Sequence, residues 1–266
     1  GWIQLYCGNS QEVIDSIIQA YRIAEQLNIP VMVCYDGFIL SHTTTPVDIP
    51  PQELVDQYLP PRPPVFGIAE YSAMNVNPLI LSDPRPDPDG NMAPGYMDIR
   101  YRLQQDLIAG LDIIEKADKE FSKLFGRTCG GLVWNYKMKD ATHAMVSFGS
   151  LASECTLAAD LLRQKGLKVG VIGVRSYRPF PKAGLLNELK RVETVTVLEK
   201  DVSYGYEGAL AMDLKSALYD SGHHPKFSSY VVGLGGRDVL PKTLADETYK
   251  AITGEISHAW IDIKGQ

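Results

Sequence analysis

The feature that most constrains this fold is a regular alternation of strand-like and helix-like segments from residue 141 onward. Runs rich in Val, Ile and Thr are followed by amphipathic runs, as in HAMVSFGS followed by LASECTLAADLLRQKG. The alternation continues through KVGVIGVRSYRPFP, TVTVLEK and SSYVVGLGG. This pattern is typical of a parallel sheet with helices on both faces. We therefore expect an α/β domain over residues 141–266, with a boundary near residues 130–140.

The first 45 residues predict the end of a separate α/β unit. NSQEVIDSIIQAYRIAEQLNIP predicts a helix, because Asn9 and Glu12 resemble a capping box and apolar residues recur at helical spacing. Its apolar face would comprise Val13, Ile17, Ala20, Ala24 and Leu27. The run VMVCYDGF is typical of a parallel strand covered on both faces. Because GWIQLYCGNS reads as a strand already under way, we expect further polypeptide before Gly1.

Residues 46–96 form a proline-rich arm, since residues 43–96 hold 12 of the 17 prolines. Proline removes a backbone donor and fixes φ, so we expect neither helices nor central strands there. A flexible linker is one interpretation. An ordered arm lying on a partner is the other, and it is favoured by apolar residues that would be exposed on a solvated tether: Val65, Phe66, Ile68, Tyr71, Leu79 and Ile80.

Residues 97–140 are expected to hold one long helix and a connection. Apolar residues recur every three or four positions from Ile99 to Leu124, which predicts a helix over residues 97–125. Gly126 then supplies a residue suited to the end of that helix.

Asp36, Gly37 and His42 lie where the predicted strand VMVCYDGF meets its loop. A carboxylate at the edge of a buried strand is unfavourable unless it is paired or hydrogen-bonded. In one interpretation Asp36 caps the turn at Gly37 and His42 packs beneath the arm. In the other, these residues line a cofactor cleft.

Arg175 and Arg178 are the candidates for an anion site. They lie in RSYRPFP at the carboxyl end of a predicted strand, where α/β domains bind ligands. Arg178 could pair a carboxylate or phosphate through two parallel hydrogen bonds. The alternative is that both arginines bridge to a partner subunit.

Three further motifs have simple structural explanations. The glycines of VVGLGGRDV lack the full dinucleotide-binding spacing, so a tight turn packed on a neighbour is favoured over a nucleotide site. In FGSLAS, which places Gly149, Ser150 and Ser153 at a helix start, a serine can satisfy free amides without a ligand, and an anion site is the less favoured alternative. The histidines of SGHHP are expected at the surface, and no metal site is predicted.

Composition excludes several classes of protein. The net charge of −6 argues against a nucleic-acid-binding protein, and no apolar run is long enough to span a bilayer. The four cysteines include no CxxC pair, so we expect buried reduced thiols, a cytoplasmic location and neither a cluster nor a zinc site in this chain. No GxSxG, HExxH or Walker sequence is present.

Four segments in one order carry a resemblance to a known family: QEVIDSIIQAYRIAEQLNIPVMVCYDGFILSH, EFSKLFGR, KVGVIGVRSYRPFP and VVGLGGRDV. Together they resemble the α subunit of the 2-oxoacid:ferredoxin oxidoreductases, the pyruvate:ferredoxin oxidoreductase family. The resemblance implies that residues 1–45 end a thiamin-enzyme pyrimidine-binding-type domain. It implies a transketolase C-terminal-like, parallel-sheet domain over residues 141–266, reached through the arm of residues 46–96 and the helix and connection of residues 97–140.

The resemblance also implies an activity and its partners. The family oxidatively decarboxylates a 2-oxoacid, pyruvate being the commonest, with coenzyme A and ferredoxin. Thiamin diphosphate with Mg²⁺ and [4Fe–4S] clusters would be held by other domains or subunits of the complex. The expected partners are β-, γ- and δ-type subunits and a second copy of the complex. We assign no catalytic residue, because no segment here matches the family's Tyr-Pro-Ile-Thr-Pro-like opening or its pyrimidine-binding Glu.

Two alternative functions remain open from the sequence. One is a transketolase-like or 2-oxoacid dehydrogenase subunit, which would contain no iron. The other is a non-catalytic structural or nucleotide-binding partner domain.

Overall fold

Alternating strands and helices build a six-stranded sheet, here called the large sheet. The computed structural model describes residues 1–61, 85–86, 92–93, 95–254 and 258–264. Its strands, in chain order, are β5 (Val133–Tyr136), β6 (His143–Ser147), β7 (Val169–Val174), β9 (Thr194–Glu199), β10 (Lys226–Val231) and β11 (His258–Trp260). They are arranged as β11-β10-β9-β6-β7-β5. All neighbours are parallel except β5, which pairs antiparallel with β7.

Helices cover both faces of the large sheet, which confirms the predicted α/β class. Helices α4 (Gly149–Gln164) and α7 (Pro241–Thr253) pack on one face through residues such as Leu151 and Leu244. On the opposite face α5 (Lys182–Leu189) and α6 (Ala209–Tyr219) pack through Leu185 and Leu214. The strands between them are buried on both sides, as continuous apolar runs require.

Strand β5 was not predicted from the sequence. It lies within the expected connection and pairs with β7 at the edge of the sheet, with Trp134 opposite Gly173. A Cβ atom on Gly173 would lie 2.0 Å from the indole ring, so this glycine makes room for Trp134 across the strand pair. The glycine spacing in VGVIGV was the available signal, because glycine inside a strand often marks a close approach.

A second, three-stranded sheet, the small sheet, is formed by β1 (Ile3–Tyr6), β2 (Val31–Cys34) and β8 (Ser176–Arg178). Strand β1 is central, parallel to β2 and antiparallel to β8. Ile3 and Leu5 are fully buried against helix α1 (Ser10–Leu27) and a long helix, α3 (Tyr96–Phe125). The chain runs from β7 into β8 through Arg175 alone, so one continuous segment belongs to both sheets.

The capping box at Asn9 and Glu12 is confirmed, since the Asn9 side chain accepts the Glu12 N–H at 2.9 Å. The orientation of α1 differs from the expected one. Ile17 is 44% exposed, whereas Ser16 and Gln19 are fully buried. The polar residues Ser16 and Gln19 of α1 face the protein interior, where Gln19 donates hydrogen bonds to Asp118 and Cys129.

Strand β2 is likewise less covered than its apolar run predicts. It lies at the edge of the small sheet, and Met32 is 42% exposed. The expected cover on both faces is therefore incomplete among the described residues.

Helix α3 confirms the predicted long helix, and Gly126 ends it in the left-handed conformation, with φ of 73°. The expectation that the arm holds no helix is wrong, because α2 (Gln52–Tyr58) lies within it. Pro51 precedes the first helical residue, where a missing N–H does no harm, and no proline follows until Pro60. Tyr58 fixes α2 to α3 by donating its hydroxyl to the Ala117 carbonyl at 2.9 Å.

Most of the remaining arm lies outside the described residues, apart from a short antiparallel pair, β3 (Arg85–Pro86) with β4 (Met92–Ala93). All four cysteines are free thiols, and three of them are buried as expected, whereas Cys34 is only partly buried. In the described part of the chain, no helix combines the length and apolar character needed to cross a membrane.

Candidate functional site

A cleft of about 480 Å³ lies where the loop after β2 meets the carboxyl end of the large sheet. Four aromatic residues are part of its walls: Tyr6, Tyr35, Phe38 and Phe148. Parallel sheets commonly bind ligands beyond the carboxyl ends of their strands. Two of the sequence candidates, Asp36 and Gly37, line this cleft.

Asp36 forms a polar cluster with two residues from the large sheet. Its Oδ2 accepts a hydrogen bond from Lys200 Nζ at 2.7 Å and another from the Ser150 hydroxyl. Lys200 Nζ also lies 3.1 Å from Ser150 Oγ. The side chains of Asp36 and Lys200 are only 13% and 19% exposed, so the ion pair is largely shielded from water.

The turn after Asp36 is closed by its main chain and not by its carboxylate. The Asp36 carbonyl accepts the N–H groups of Leu40 and Ser41 at 3.3 and 3.2 Å. The interpretation in which Asp36 caps this turn therefore applies to its backbone, while its carboxylate reaches the large sheet.

His42 lies beside the cleft and not within its lining. Its ring stacks on Phe38, with centroids 4.9 Å apart, and its Nδ1 lies 2.6 Å from Ser41 Oγ. Phe38 has φ of 66°, an uncommon value for a bulky side chain. His42 itself is exposed among the described residues.

The glycine turn after β10 forms another wall of the cleft. Gly233, Gly235 and Gly236 all have positive φ and lie beside the cleft. A Cβ atom on Gly236 would lie 2.4 Å from the Phe38 ring, so the turn packs directly on the loop after β2. This close packing agrees with the interpretation as a tight turn against a neighbour.

Two carboxyl groups lie at the end of β9: Asp201 lines the cleft, and Glu199 is buried beside it. Glu199 is 1% exposed, and its carboxyl oxygens accept the N–H groups of Leu210 and Ala211 at 2.8 and 3.2 Å. Burial, reinforced by a hydrogen bond with Asp201 and by its charge, raises the pKa of Glu199 to about 9. Glu199 therefore carries its proton at neutral pH.

Tyr6 and Cys34, which also line the cleft, are protonated at neutral pH as well. Burial, followed by the nearby Cys34 and Asp201, raises the pKa of Tyr6 to about 12. Burial likewise raises the pKa of the Cys34 thiol. Neither side chain is an activated nucleophile in this arrangement.

Arg175, a candidate for anion binding, is buried inside the protein at 1% exposure. Its guanidinium donates to the Gly131 carbonyl at 3.0 Å, to Gln19 Oε1 at 3.0 Å and to Ser16 Oγ at 3.3 Å. It therefore ties α1 to the junction of the two sheets and presents no surface to a ligand.

Arg178, the second candidate, is engaged within the chain. It donates to Asp213 Oδ2 at 2.7 Å, and its guanidinium lies 4.1 Å from the Tyr177 ring centroid. The structure does not bring Arg175 and Arg178 together with Asp36 in one site.

The cleft does not fit a diphosphate with its metal ion. Lys200 is its cationic side chain and is already paired, while Asp36 and Asp201 are both acidic. Across the described ranges, no three His, Cys, Asp or Glu side chains are arranged to hold a metal. The described residues thus offer an aromatic, mildly acidic wall and no complete cofactor site.

Sequence reasoning missed Lys200, Ser150 and Glu199 as members of this region. Ser150 and Lys200 lie 114 and 164 residues from Asp36 along the chain. The available signal was positional, because each follows or ends a predicted strand of one parallel sheet, and such strand ends share an edge.

Two family models match the chain. Residues 1–89 match the thiamine diphosphate-binding region of pyruvate flavodoxin/ferredoxin oxidoreductase, and residues 141–244 match pyruvate:ferredoxin oxidoreductase core domain II.

Relatives along almost the whole chain agree with these models. Ketoisovalerate oxidoreductase subunit VorA of Pyrococcus horikoshii is 38% identical over 95% of this chain and 62% of its own length. Pyruvate synthase subunit PorA of Methanothermobacter thermautotrophicus is 36% identical over 99% of this chain and 65% of its own length. The chain thus spans just under two thirds of these relatives.

Among solved structures, the 2-oxoglutarate:ferredoxin oxidoreductase from Magnetococcus marinus has the same fold. It matches 94% of this chain and 42% of its own with a TM-score of 0.53 and 16% identity. The identities to the VorA and PorA subunits, the two ordered family models and this shared fold lead to one conclusion: the chain belongs to the α-subunit family of the 2-oxoacid:ferredoxin oxidoreductases.

Proposed function

We propose that this chain is part of the α subunit of a thiamin diphosphate-dependent 2-oxoacid:ferredoxin oxidoreductase. The reaction is the oxidative decarboxylation of a 2-oxoacid, with coenzyme A as acyl acceptor and ferredoxin as electron acceptor. The observation that carries the proposal is the identity of 36–38% to VorA and PorA subunits over 95–99% of the chain.

Within that enzyme, the chain supplies structure around the reaction centre. We propose that residues 1–45 end a pyrimidine-binding-type domain and that residues 141–266 form the second domain, joined by the arm of residues 46–96 and the segment of residues 97–140. We propose that thiamin diphosphate, Mg²⁺ and the [4Fe–4S] clusters are held by the whole complex and not by this chain alone, which the paired lysine and two acidic side chains of the cleft around Asp36 support. The proposed partners are β-, γ- and δ-type subunits and a second copy of the complex.

Pyruvate is the proposed substrate, with branched-chain 2-oxoacids as the second candidate. Similar relatives include both pyruvate synthase and ketoisovalerate oxidoreductase subunits, at nearly equal identity. We also propose a cytoplasmic location, since all four cysteines are free thiols, as is usual in a reducing compartment.

The test is to purify the chain in complex with the polypeptides encoded beside it and to assay ferredoxin reduction. We expect reduction that requires a 2-oxoacid, coenzyme A and thiamin diphosphate, and iron that co-purifies with the complex. Turnover with pyruvate and with ketoisovalerate should be compared directly, because the ratio of kcat/KM values assigns the substrate.

The chain by itself is the control. Purified alone, it should contain no iron and decarboxylate no 2-oxoacid. Turnover by the isolated chain would contradict the proposal. A thiamin-dependent complex without iron would favour a transketolase-like or 2-oxoacid dehydrogenase subunit, and tight nucleotide binding by the chain alone would favour a nucleotide-binding partner domain.

A further inference from the structure

Three turns at the carboxyl edge of the large sheet converge on one loop, residues 35–42. The first turn of α4, after β6, contributes Ser150, the residue after β9 is Lys200, and the turn after β10 packs Gly236 on Phe38. This edge is where a parallel sheet ordinarily receives a ligand. Here the loop after β2 fills it.

The Asp36 carboxylate occupies the position of a bound anion. Helix α4 begins at Gly149, and its N-cap residue, Phe148, makes no side-chain cap. A Cβ atom on Gly149 would lie 2.6 Å from Asp36 Oδ1, so the carboxylate lies directly over the first turn of the helix. A negative charge is stabilised there by the helix dipole and free amides, and Lys200 adds the opposite charge.

The anchored loop holds Phe38 in an unfavourable backbone conformation. Its φ of 66° places a bulky side chain in the left-handed region, and its ring is held between Gly236 and His42. Such conformations persist only where surrounding contacts fix them, and they concentrate at functional sites. The contacts that fix this one extend from Asp36 to the large sheet.

The opposite side of the same loop is open. Tyr35 and Phe38 are 50% and 56% exposed, and His42 is exposed beside them. The loop also lies within the stretch that matches the thiamine diphosphate-binding family model. Its anchored side therefore faces the large sheet, and its aromatic side faces away from it.

Resting on the function proposed above, we propose that Asp36 is a positioning residue for the thiamin reaction cleft. Through Lys200 and Ser150 it locks the loop, so that Phe38, with His42 stacked beside it, forms a rigid wall of the cleft that other subunits complete. The large sheet thus holds the loop of the reaction site in place, and the Asp36 carboxylate lies where a ligand would otherwise bind.

The test compares assembled complexes that carry Asp36→Asn, Lys200→Met or Ser150→Ala. We expect each change to lower kcat per bound thiamin diphosphate, by about tenfold for Asp36→Asn and Lys200→Met, because a small displacement of a site wall slows a reaction strongly. The double variant Asp36→Asn/Lys200→Met should have a kcat only slightly below that of either single variant, since both changes break the same ion pair. Lys200→Arg should retain most of the activity.

The matched control is the exposed ion pair between Lys182 and Asp220, which has the same 2.7 Å distance. Lys182→Met should leave kcat unchanged. If Asp36→Asn and Lys200→Met lowered only the yield or thermal stability of the complex, with normal kcat per bound thiamin, the role would be merely structural and the proposal would be overturned.

Hydrogen exchange of the amides of residues 36–42 gives a second readout. In the Lys200→Met complex these amides should exchange about tenfold faster, while those of α7 stay unchanged. If the exchange rates of the loop amides were unchanged, Lys200 would not anchor the loop and the proposal would be overturned. This measurement needs no turnover, so it tests whether Asp36 and Lys200 anchor the loop independently of the proposed function. The proposed function fails instead if the wild-type complex reduces no ferredoxin with any 2-oxoacid.

Discussion

Glu199 and Asp201 show how one proton can satisfy two buried groups. Asp201 Oδ1 is buried, and the Glu199 carboxyl is its hydrogen-bond partner among the described residues. Since the pKa of Glu199 is raised to about 9, chiefly by burial and then by Asp201, its acidic proton can be donated to that oxygen.

This pair predicts how stability depends on pH. A carboxyl group with a raised pKa in the folded state stabilises the protein fully below its ordinary pKa of 4.5 and loses that contribution as pH rises to about 9. The free energy of unfolding should therefore contain a component that falls across this window. Urea unfolding of the chain at several pH values should show a shallower fall for Glu199→Gln.

The control for this experiment is Glu53→Gln, because Glu53 is exposed on α2. Its pH profile should match that of the unmodified chain. A Glu199→Gln profile identical to wild type would show that Glu199 does not carry the proton.

Arg175 provides a second prediction at the residue scale. Replacing it with Met would leave Gln19 Oε1 and the Gly131 carbonyl without their donor and remove the cation near Asp118. We expect a loss of about 3 kcal/mol in the free energy of unfolding, typical of breaking a buried charged network. Urea unfolding measures it, and Arg191→Met at an exposed position should cost about 0.5 kcal/mol or less.

Contacts between individual side chains were the hardest part of the structure to predict from the sequence. The sequence pointed to Asp36 at a strand end, but Lys200 lies 164 residues further along. The same limit applies to Arg175, which was expected to meet a ligand or a partner and is buried under α1. Pairing over such distances depends on how two sheets are placed together, which local patterns do not encode.

At the scale of elements, the alternation of strands and helices predicted the large sheet well. The misses have local causes: β5 is a short antiparallel edge strand, and α2 lies between prolines. The buried face of α1 was predicted only in part, with Ala20 buried and Ile17 exposed, because Gln19 and Ser16 bind Asp118, Cys129 and Arg175 inside the protein. Apolar periodicity identifies a helix, but it does not determine which face of that helix is buried in the folded protein.

The β5–β7 pair gives a prediction at this scale. Gly173→Ala would place a Cβ atom 2.0 Å from the Trp134 indole, so Trp134 must move and β5 must shift. We expect a loss of about 2 kcal/mol from overpacking. The measurement is urea unfolding followed by tryptophan fluorescence.

Gly184→Ala is the matched control for Gly173→Ala. It lies within helix α5, and an added Cβ would meet Val133 at 3.7 Å, an ordinary contact. Because alanine favours helices over glycine, this change should be neutral or stabilising by about 0.5–1 kcal/mol. If both changes had equal effects, the close approach of Trp134 would not be the cause.

At the scale of the whole molecule, the two sheets should unfold together. They share the segment from β7 through Arg175 to β8, and Asp36 pairs with Lys200 between them. Trp2 precedes the small sheet and Trp260 lies in β11 at the far edge of the large sheet. Single-tryptophan variants that retain one or the other should report the same urea midpoint.

Two separate midpoints would show that the sheets are independent folding units. The Lys200→Met variant is informative here, because it removes the ion pair and leaves the shared strand intact. It should lower both midpoints together.

The strand shared by the two sheets also limits how the molecule can move. A hinge needs a few residues that can change φ and ψ freely, but Arg175, the one residue between β7 and β8, is buried and hydrogen-bonded through both its backbone and its side chain. Rotation of one sheet against the other would break ladder bonds on both sides of it. We therefore expect the two sheets to move as one body, with no hinge in the segment that they share.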